Sequence, residues 1–316
     1  MKDSAWRFLS WGLPIMLAVT FLLMGSGFDF DYVIPNRLVR LGTICLGGVC
    51  IAFSSILFQT LAGNRILTPS IMGYEGVYLI LQALLILILG TGSSILITAN
   101  SNFFVSVVVM LLYSMAIHRW LFSGDRHDVF FLLLVGLVLT VVLGSFTQLI
   151  QYSISPGEFS IFQSYSLASF NRAQPEQLLI SLVLVSAVCI AAWRVRAVLD
   201  VLLMGREQAI SLGIDYQKVV RLLLGLIAVL VAISTSLVGP TAFMGIFVAN
   251  MAYALARHPS HSFTLITGCA VAISVFLIAQ MLVEHLFNYQ TSVGLLINLF
   301  CGAYFFVLIL KPRSAV

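Results

Sequence analysis

LDVLLMGREQAISLGIDYQKVVRL, residues 199–222, is the longest polar interval with helical character in an otherwise apolar chain. Leu202, Ala209, Leu212 and Val219 recur among Arg206, Glu207, Gln208, Asp215 and Lys218. That spacing predicts short amphipathic helices interrupted at Gly205 and Gly213. One helix is expected over 206–212, ended by Gly213 in the left-handed conformation that glycine adopts at little cost. Read plainly, such a segment is a cytoplasmic loop whose charge holds the topology in place. Either side of it, the chain has to be crossing a membrane.

The composition supports this. With 60% apolar and 9% charged residues, the sequence lies far from soluble domains, in which about a quarter of residues are charged. A helix needs about 20 residues to cross a bilayer, and apolar runs of suitable length fall at 7–27, 38–60, 76–97, 102–122, 129–152, 177–193, 219–239, 242–256, 263–283 and 294–310. The expected fold is therefore all-α, a polytopic membrane protein of about ten transmembrane helices. Residues 1–316 read as one transmembrane domain with 199–219 as its cytoplasmic segment. No GxxxxGK[ST] phosphate loop is present, so no nucleotide-binding domain is expected. The first span lacks the cleavage pattern of a removable signal peptide and is taken as retained. Cys45, Cys50, Cys189, Cys269 and Cys301 fall inside spans without ligand spacing and read as packing residues. No metal, cofactor, catalytic residue or nucleic-acid partner is expected.

Lysine and arginine orient the chain. With a cytoplasmic amino terminus and alternating spans, the inside holds Lys2, Arg7, Arg65, Arg119, Arg126, Arg194, Arg196, Arg206, Lys218, Arg221, Arg257, Lys311 and Arg313. The outside holds Arg37, Arg40 and Arg172. This asymmetry places both termini, and the 199–222 stretch, in the cytoplasm.

Along the chain, the second span is dense in Gly, Ser and Cys, residues that let helix backbones approach in lipid. It is expected to be a buried packing helix, whose Gln59 either lines a pathway or makes an interhelical hydrogen bond. Gly63, Asn64, Pro69, Gly73 and Gly76 then break the backbone at an inner turn, which must be buried in protein or face water. Glu75 is expected to be solvated at the interface there. In the fifth span Thr140, Gly144, Thr147, Gln148 and Gln151 share one helical face, a polar stripe that suits either a translocation route or hydrogen bonds to neighbouring helices. Residues 153–177 form the largest outside segment, with a helical turn or two between prolines. HRWLFSGDRHD (118–128) and HPSHSF (258–263) read as inner turns. At Gly239, Pro240 and Gly245 two helices can meet at a bend, or pack closely.

Several of these stretches together resemble the permease subunits of bacterial ATP-binding-cassette importers for iron-siderophores, haem and cobalamin, over almost the whole chain. Arg37-Leu38-Val39-Arg40 resembles the family's Arg-Leu-Pro-Arg, and Gln59 followed by Asn64-Arg65-Ile66-Leu67-Thr68-Pro69 and Gly73 resembles its Gln, Asn-Pro-Leu-Ala-x-Pro and Gly. Gly205-Arg206-Glu207-Gln208-Ala209-Ile210-Ser211-Leu212-Gly213 is similar to its Gly-Glu-x-x-Ala-x-x-Leu-Gly coupling segment. Gly239-Pro240-Thr241-Ala242-Phe243-Met244-Gly245 is similar to its Gly-Pro-Ile-Gly-Phe-x-Gly, and 294–305 follows its last helix.

The resemblance implies an inner-membrane importer with a permease dimer, two cytoplasmic ATPase subunits and a periplasmic or lipid-anchored binding protein, the substrate being an iron-siderophore or, alternatively, haem or cobalamin. It assigns ATPase coupling to Gly205 through Gly213. Ala209, Ile210 and Leu212 are then expected in a groove of the ATPase, with Arg206 and Glu207 orienting the contact. It assigns docking of the binding protein to Arg37 and Arg40, which otherwise snorkel to headgroups. Val39, Arg65, Ile66, Ala249-Asn250 and Ala303 depart from the family pattern, which favours a heterodimer with a second permease. The competing class, a carrier driven by an ion gradient, needs an ionisable group near the bilayer midplane. Here Glu75 and Glu284 fall near span ends. A co-purifying ATPase and binding protein separates the two classes.

Overall fold

A computed structural model describes residues 2–25, 29–90, 99–121, 129–256 and 260–310. Residues 122–128 of the inner turn expected at 118–128, 258–259 of that expected at 258–263, Arg126, Arg257, Lys311 and Arg313 lie outside them, as does the end of the third expected span at 91–97; 118–121 and 261–263 are helical instead of turn. The ten apolar runs each become one helix: α1 (Lys2–Leu23), α2 (Val33–Ala62), α3 (Tyr74–Leu89), α4 (Ala99–Leu121), α5 (Val129–Gln151), α7 (Pro175–Arg194), α10 (Tyr216–Leu237), α11 (Met244–Leu255), α12 (His261–Met281) and α13 (Val293–Leu310). Among the described residues six apolar helices are long enough to cross a membrane; the apolar parts of α1, α3, α11 and α13 are shorter. Three short helices join them: α6 (Pro156–Ser166), α8 (Arg196–Leu202) and α9 (Arg206–Ser211). Among the described residues there is no strand.

The bundle is built around α2, which packs against α10, α12 and α11. Without a hydrophobic drive between helices in lipid, close van der Waals contact has to hold them. Glycine supplies the room. A Cβ added at Gly47 would lie 2.7 Å from Val238 Cγ2 on the α10 side, and at Gly268 of α12 it would lie 2.7 Å from Ile56 Cδ1 of α2. The result is two classes of helix. In α2, α10 and α12, 72%, 61% and 67% of the apolar stretch is buried; in α4, α5 and α7 the share is 33%, 22% and 28%. The second class turns apolar side chains outward.

Local signals set the ends. Ser155 and Glu158 form a capping box at α6, and Pro156 stands in its first turn, where a missing N–H costs nothing. This makes α6 an 11-residue helix, longer than the turn or two expected. Asp215 caps α10 by accepting the Lys218 N–H at 3.2 Å. The hydrogen bond from the Lys218 side chain, with the N–H of the same residue, holds the Asp215 carboxyl below its ordinary range. After α12 one π-helical turn, Leu282–Leu286, re-aims the chain. It leads into Asn288 and Tyr289, both at positive φ.

Candidate functional site

The 199–222 stretch folds as expected into α8, α9 and the start of α10. Gly205 (φ 103°) and Gly213 (φ 85°) bound α9, and an added Cβ at either meets nothing within 4 Å. Both glycines are therefore required by backbone conformation alone. The side chains divide differently from the sequence expectation. Ile210 and Leu212 are 50% and 63% exposed, whereas Ala209 is 0% exposed. Six residues make under two helical turns, so one face must rest on the body of the protein, and Ala209 occupies it. Ile210 and Leu212 stay at the surface, whereas Ala209, expected in an ATPase groove, is an internal contact. Glu207 is exposed, and the Arg206 guanidinium lies over the Tyr216 ring at 5.4 Å.

Behind α9, Asp200 of α8 is joined to the bundle. Its Oδ1 accepts the His261 N–H at 2.8 Å and lies 2.6 Å from His261 Nδ1. His261 Nε2 lies 2.8 Å from Thr60 Oγ1, which donates to Ile56 O at 2.9 Å. Tyr253 of α11 also hydrogen-bonds Thr60. The segment carrying α9 is thus linked through fixed polar contacts to α12, α2 and α11.

Two interruptions of helical backbone meet on the other side of α2. In the first, Asn64 Oδ1 accepts the Ile66 N–H, a 3-10 turn covers Pro69–Met72, and left-handed Gly73 opens α3. Its carbonyls are not left to lipid: Tyr113 donates to Met72 O at 2.8 Å and Thr140 to Ile71 O at 3.2 Å. In the second, Gly239 (φ 103°) and Pro240 turn α10 toward α11. Arg172 Nη2 donates to Val238 O at 2.8 Å and to Leu167 O at 2.9 Å. On the far side of the bend Glu75 Oε1 accepts the Thr241 N–H at 3.1 Å and the Ser70 hydroxyl at 2.9 Å. The cation stands at the carbonyl end of α10 and the carboxylate near the amino ends of α11 and α3, as the helix dipoles favour. Glu75, expected in solvent, is instead a fixed acceptor lining a small cavity with Ser54, Ser55, Thr68 and Thr235. Gly245 fits there because a Cβ would run into the Ser55 side chain.

The polar stripe of α5 does not hold as one surface. Thr140 is bonded to Ile71 O and Gly136 O, and Thr147 is buried on Leu143 O. Gln148 is exposed, Gln151 half-buried, and Gly144 has open space beside it. Gln59 is buried, and neither of its amide atoms finds a protein partner, so the interhelical hydrogen bond expected of it is not made. At the rim, Arg37 and Arg40 part company. Arg37 is buried, donates to Phe21 O at 2.8 Å and pairs with Glu284. Arg40 is half-buried beside the Tyr289 hydroxyl at 3.3 Å. Only Arg40 of the two presents a guanidinium at the surface.

A family model described as the FecCD transport family matches residues 7–311. The chain belongs to the FecCD transport family. The petrobactin import system permease protein YclO of Bacillus subtilis is 37% identical over 96% of this chain and 96% of its own length. FatC of Bacillus anthracis, named for the same import function, is 31% identical over 90% of this chain and 81% of its own. A second permease of the Bacillus subtilis system, YclN, is 24% identical over 96% and 97%. Among solved structures, an inward-facing metal-chelate type ABC transporter superposes with a TM-score of 0.85 at 18% identity, covering 98% of this chain and 99% of that one. This FecCD protein therefore shares that transporter's fold.

Sequence reasoning missed the roles of Glu75, Arg172 and Glu284 in this FecCD chain. The signal was there: in a chain with 9% charged residues, a charge beside a break in helix has backbone groups to satisfy.

Proposed function

We propose that this chain is one of two permease subunits of a bacterial inner-membrane importer for a ferric siderophore, driven by ATP hydrolysed on separate subunits. The observation that carries the substrate class is the 37% identity, across 96% of both chains, to a permease named for petrobactin import. Membership of an ABC permease family removes the ground for an ion-gradient carrier.

In this reading α9 is the part that meets the ATPase, through exposed Ile210 and Leu212 with Arg206 and Glu207 at the edge. Residues 205 and 213 let the helix tilt, and Ala209 makes the tilt felt by the body of the protein. Asp200, His261 and Thr60 carry displacement into α12 and α2, and Tyr253 into α11 just beyond the bend at Gly239 and Pro240. The open part of α5, with Gly144, Gln148 and Gln151, lines the path together with the partner permease. That partner is a different chain, since the motif departures at Val39, Arg65 and Ala303 are tolerable where a second copy keeps the stricter pattern. The occurrence of two distinct permeases, YclO and YclN, in the petrobactin system of Bacillus subtilis supports the same arrangement. A binding protein docks at the outer rim beside Arg40.

The test is uptake of radioactive iron as ferric petrobactin by cells stripped of their own permeases and supplied with this chain, its ATPase and the second permease. Uptake of ferric petrobactin, with haem and cobalamin left outside, is expected. Carriage of haem or cobalamin in place of ferric petrobactin would overturn the assignment.

A further inference from the structure

Between α3, α4, the amino end of α7 and the carboxyl end of α10 lies a cavity of about 90 Å³ bordered by Arg172. Some of its polar lining is already engaged within the protein. Asn102 and Gln82 exchange amide hydrogen bonds at 2.9 Å, and Gln177 donates to Asn100 Oδ1 at 2.9 Å. The remainder are donors. Arg172 Nε and the Ser236 hydroxyl are buried and find no partner among the described residues. The Tyr78 hydroxyl receives a hydrogen bond from the Arg172 guanidinium and so keeps its own proton to give. Tyr165, whose ring lies 5.3 Å from that guanidinium, supplies another hydroxyl to the lining.

Among the described residues no carboxylate lines the cavity and none forms an ion pair with Arg172. The carbonyl end of α10 offsets about half a charge; the rest of this half-buried cation has the Tyr165 ring beside it and no carboxylate. Water can satisfy the donors and screen the charge in part; an anion does both and neutralises it. A cationic set of donors favours an acceptor that brings negative charge. At roughly 30 Å³ per water in the liquid, the space holds one halide-sized ion with a water or two beside it.

We propose that this cavity is a binding site for one small monovalent inorganic anion, chloride in the cell, held by Arg172 Nε, Ser236, Tyr78 and Tyr165. The ion neutralises the guanidinium that holds Val238 O and Leu167 O, and so stabilises the break between α10 and α11. It is a structural ligand of the permease and is not transported with the substrate.

The test uses the importer purified with its partner subunits, in sodium gluconate, with radioactive chloride as the probe. One saturable chloride per copy of this chain is expected, displaced by bromide and not by gluconate. Replacing gluconate by chloride at constant ionic strength should raise the unfolding midpoint by about 2–4 °C. Arg172→Gln should abolish both effects. Because that change can also impair assembly, Ser236→Ala and Tyr78→Phe serve as the second arm. Neither hydroxyl holds the backbone of the bend, and each substitution should weaken chloride about 10-fold, the effect of one hydrogen bond to a charge. Absence of saturable binding together with equal midpoints in the two salts would overturn the proposal, as would unchanged affinity in both hydroxyl variants.

Discussion

Gly205 and Gly239 share the same φ of 103°, yet they do different work. At Gly205 an added Cβ meets nothing, and the helix that follows is six residues long with exposed Ile210. At Gly239 the same atom would lie 2.7 Å from Arg172 Nη2, 3.1 Å from Leu167 O and 3.3 Å from Ala168 Cα. One glycine stands in open space and, in the proposed function, frees a segment to move against a partner. The other lets a loop close over the end of a helix. A glycine in a sequence pattern announces the backbone requirement; its surroundings decide whether the site is a hinge or a seal.

The contrast can be broken by substitution. Gly239→Ala combines left-handed strain of about 1–2 kcal/mol with overpacking of about 1–3 kcal/mol. A total near 2–5 kcal/mol should remove most assembled protein from the membrane, measured as the yield of chain that elutes monodisperse. Ala209→Asp buries a carboxylate without a partner. Because α9 is short enough to lift away locally, the loss should stay near 1–3 kcal/mol, seen as a lower unfolding midpoint even without an ATPase. Gly205→Ala carries strain alone, about 1–2 kcal/mol, and should reduce transport more than it reduces yield. An equal effect on yield from Gly205→Ala and Gly239→Ala would erase the distinction. Leu212→Asp and Arg40→Glu change surface positions and should alter stability by no more than about 0.5 kcal/mol. The first should release the ATPase on co-purification, and the second should weaken binding-protein docking at low salt.

The helices were legible because apolar runs of bilayer length have few other uses, and nine of the ten expected spans lie within about five residues of their helices; the third, expected to run to 97, ends at Leu89 with 91–97 outside the described residues. The polar segment was legible because two glycines punctuate it; the Asp215 cap emerged only with the structure. What the sequence could not tell was direction. Ala209 and Leu212 are three positions apart on a very short helix, and the choice of which packs inward depends on where α8 and α10 place it. Thr140 reads as a pore residue until the broken chain at Ile71 is brought against it. Arg37 reads as a rim charge until Glu284, far away in sequence, is folded beside it. Periodicity identifies faces; partners that arrive through tertiary structure decide what each face is for.

The Arg37–Glu284 pair spans 247 residues of sequence, and this separation is also an interval in time. At about 5–20 residues per second of synthesis, the guanidinium leaves the ribosome roughly 12–50 s before its carboxylate exists. During that interval its company is the carbonyls of Phe21, Leu22 and Met24, 13 to 16 residues earlier in the chain. These are already made when Arg37 emerges. The first two helices can therefore enter the bilayer as a hairpin with the arginine held by its own predecessor, and the last helices to be synthesised close the clasp. A chain halted before residue 284 should still insert α1 and α2, and should be recognised by quality-control proteases through the unfinished ion pair.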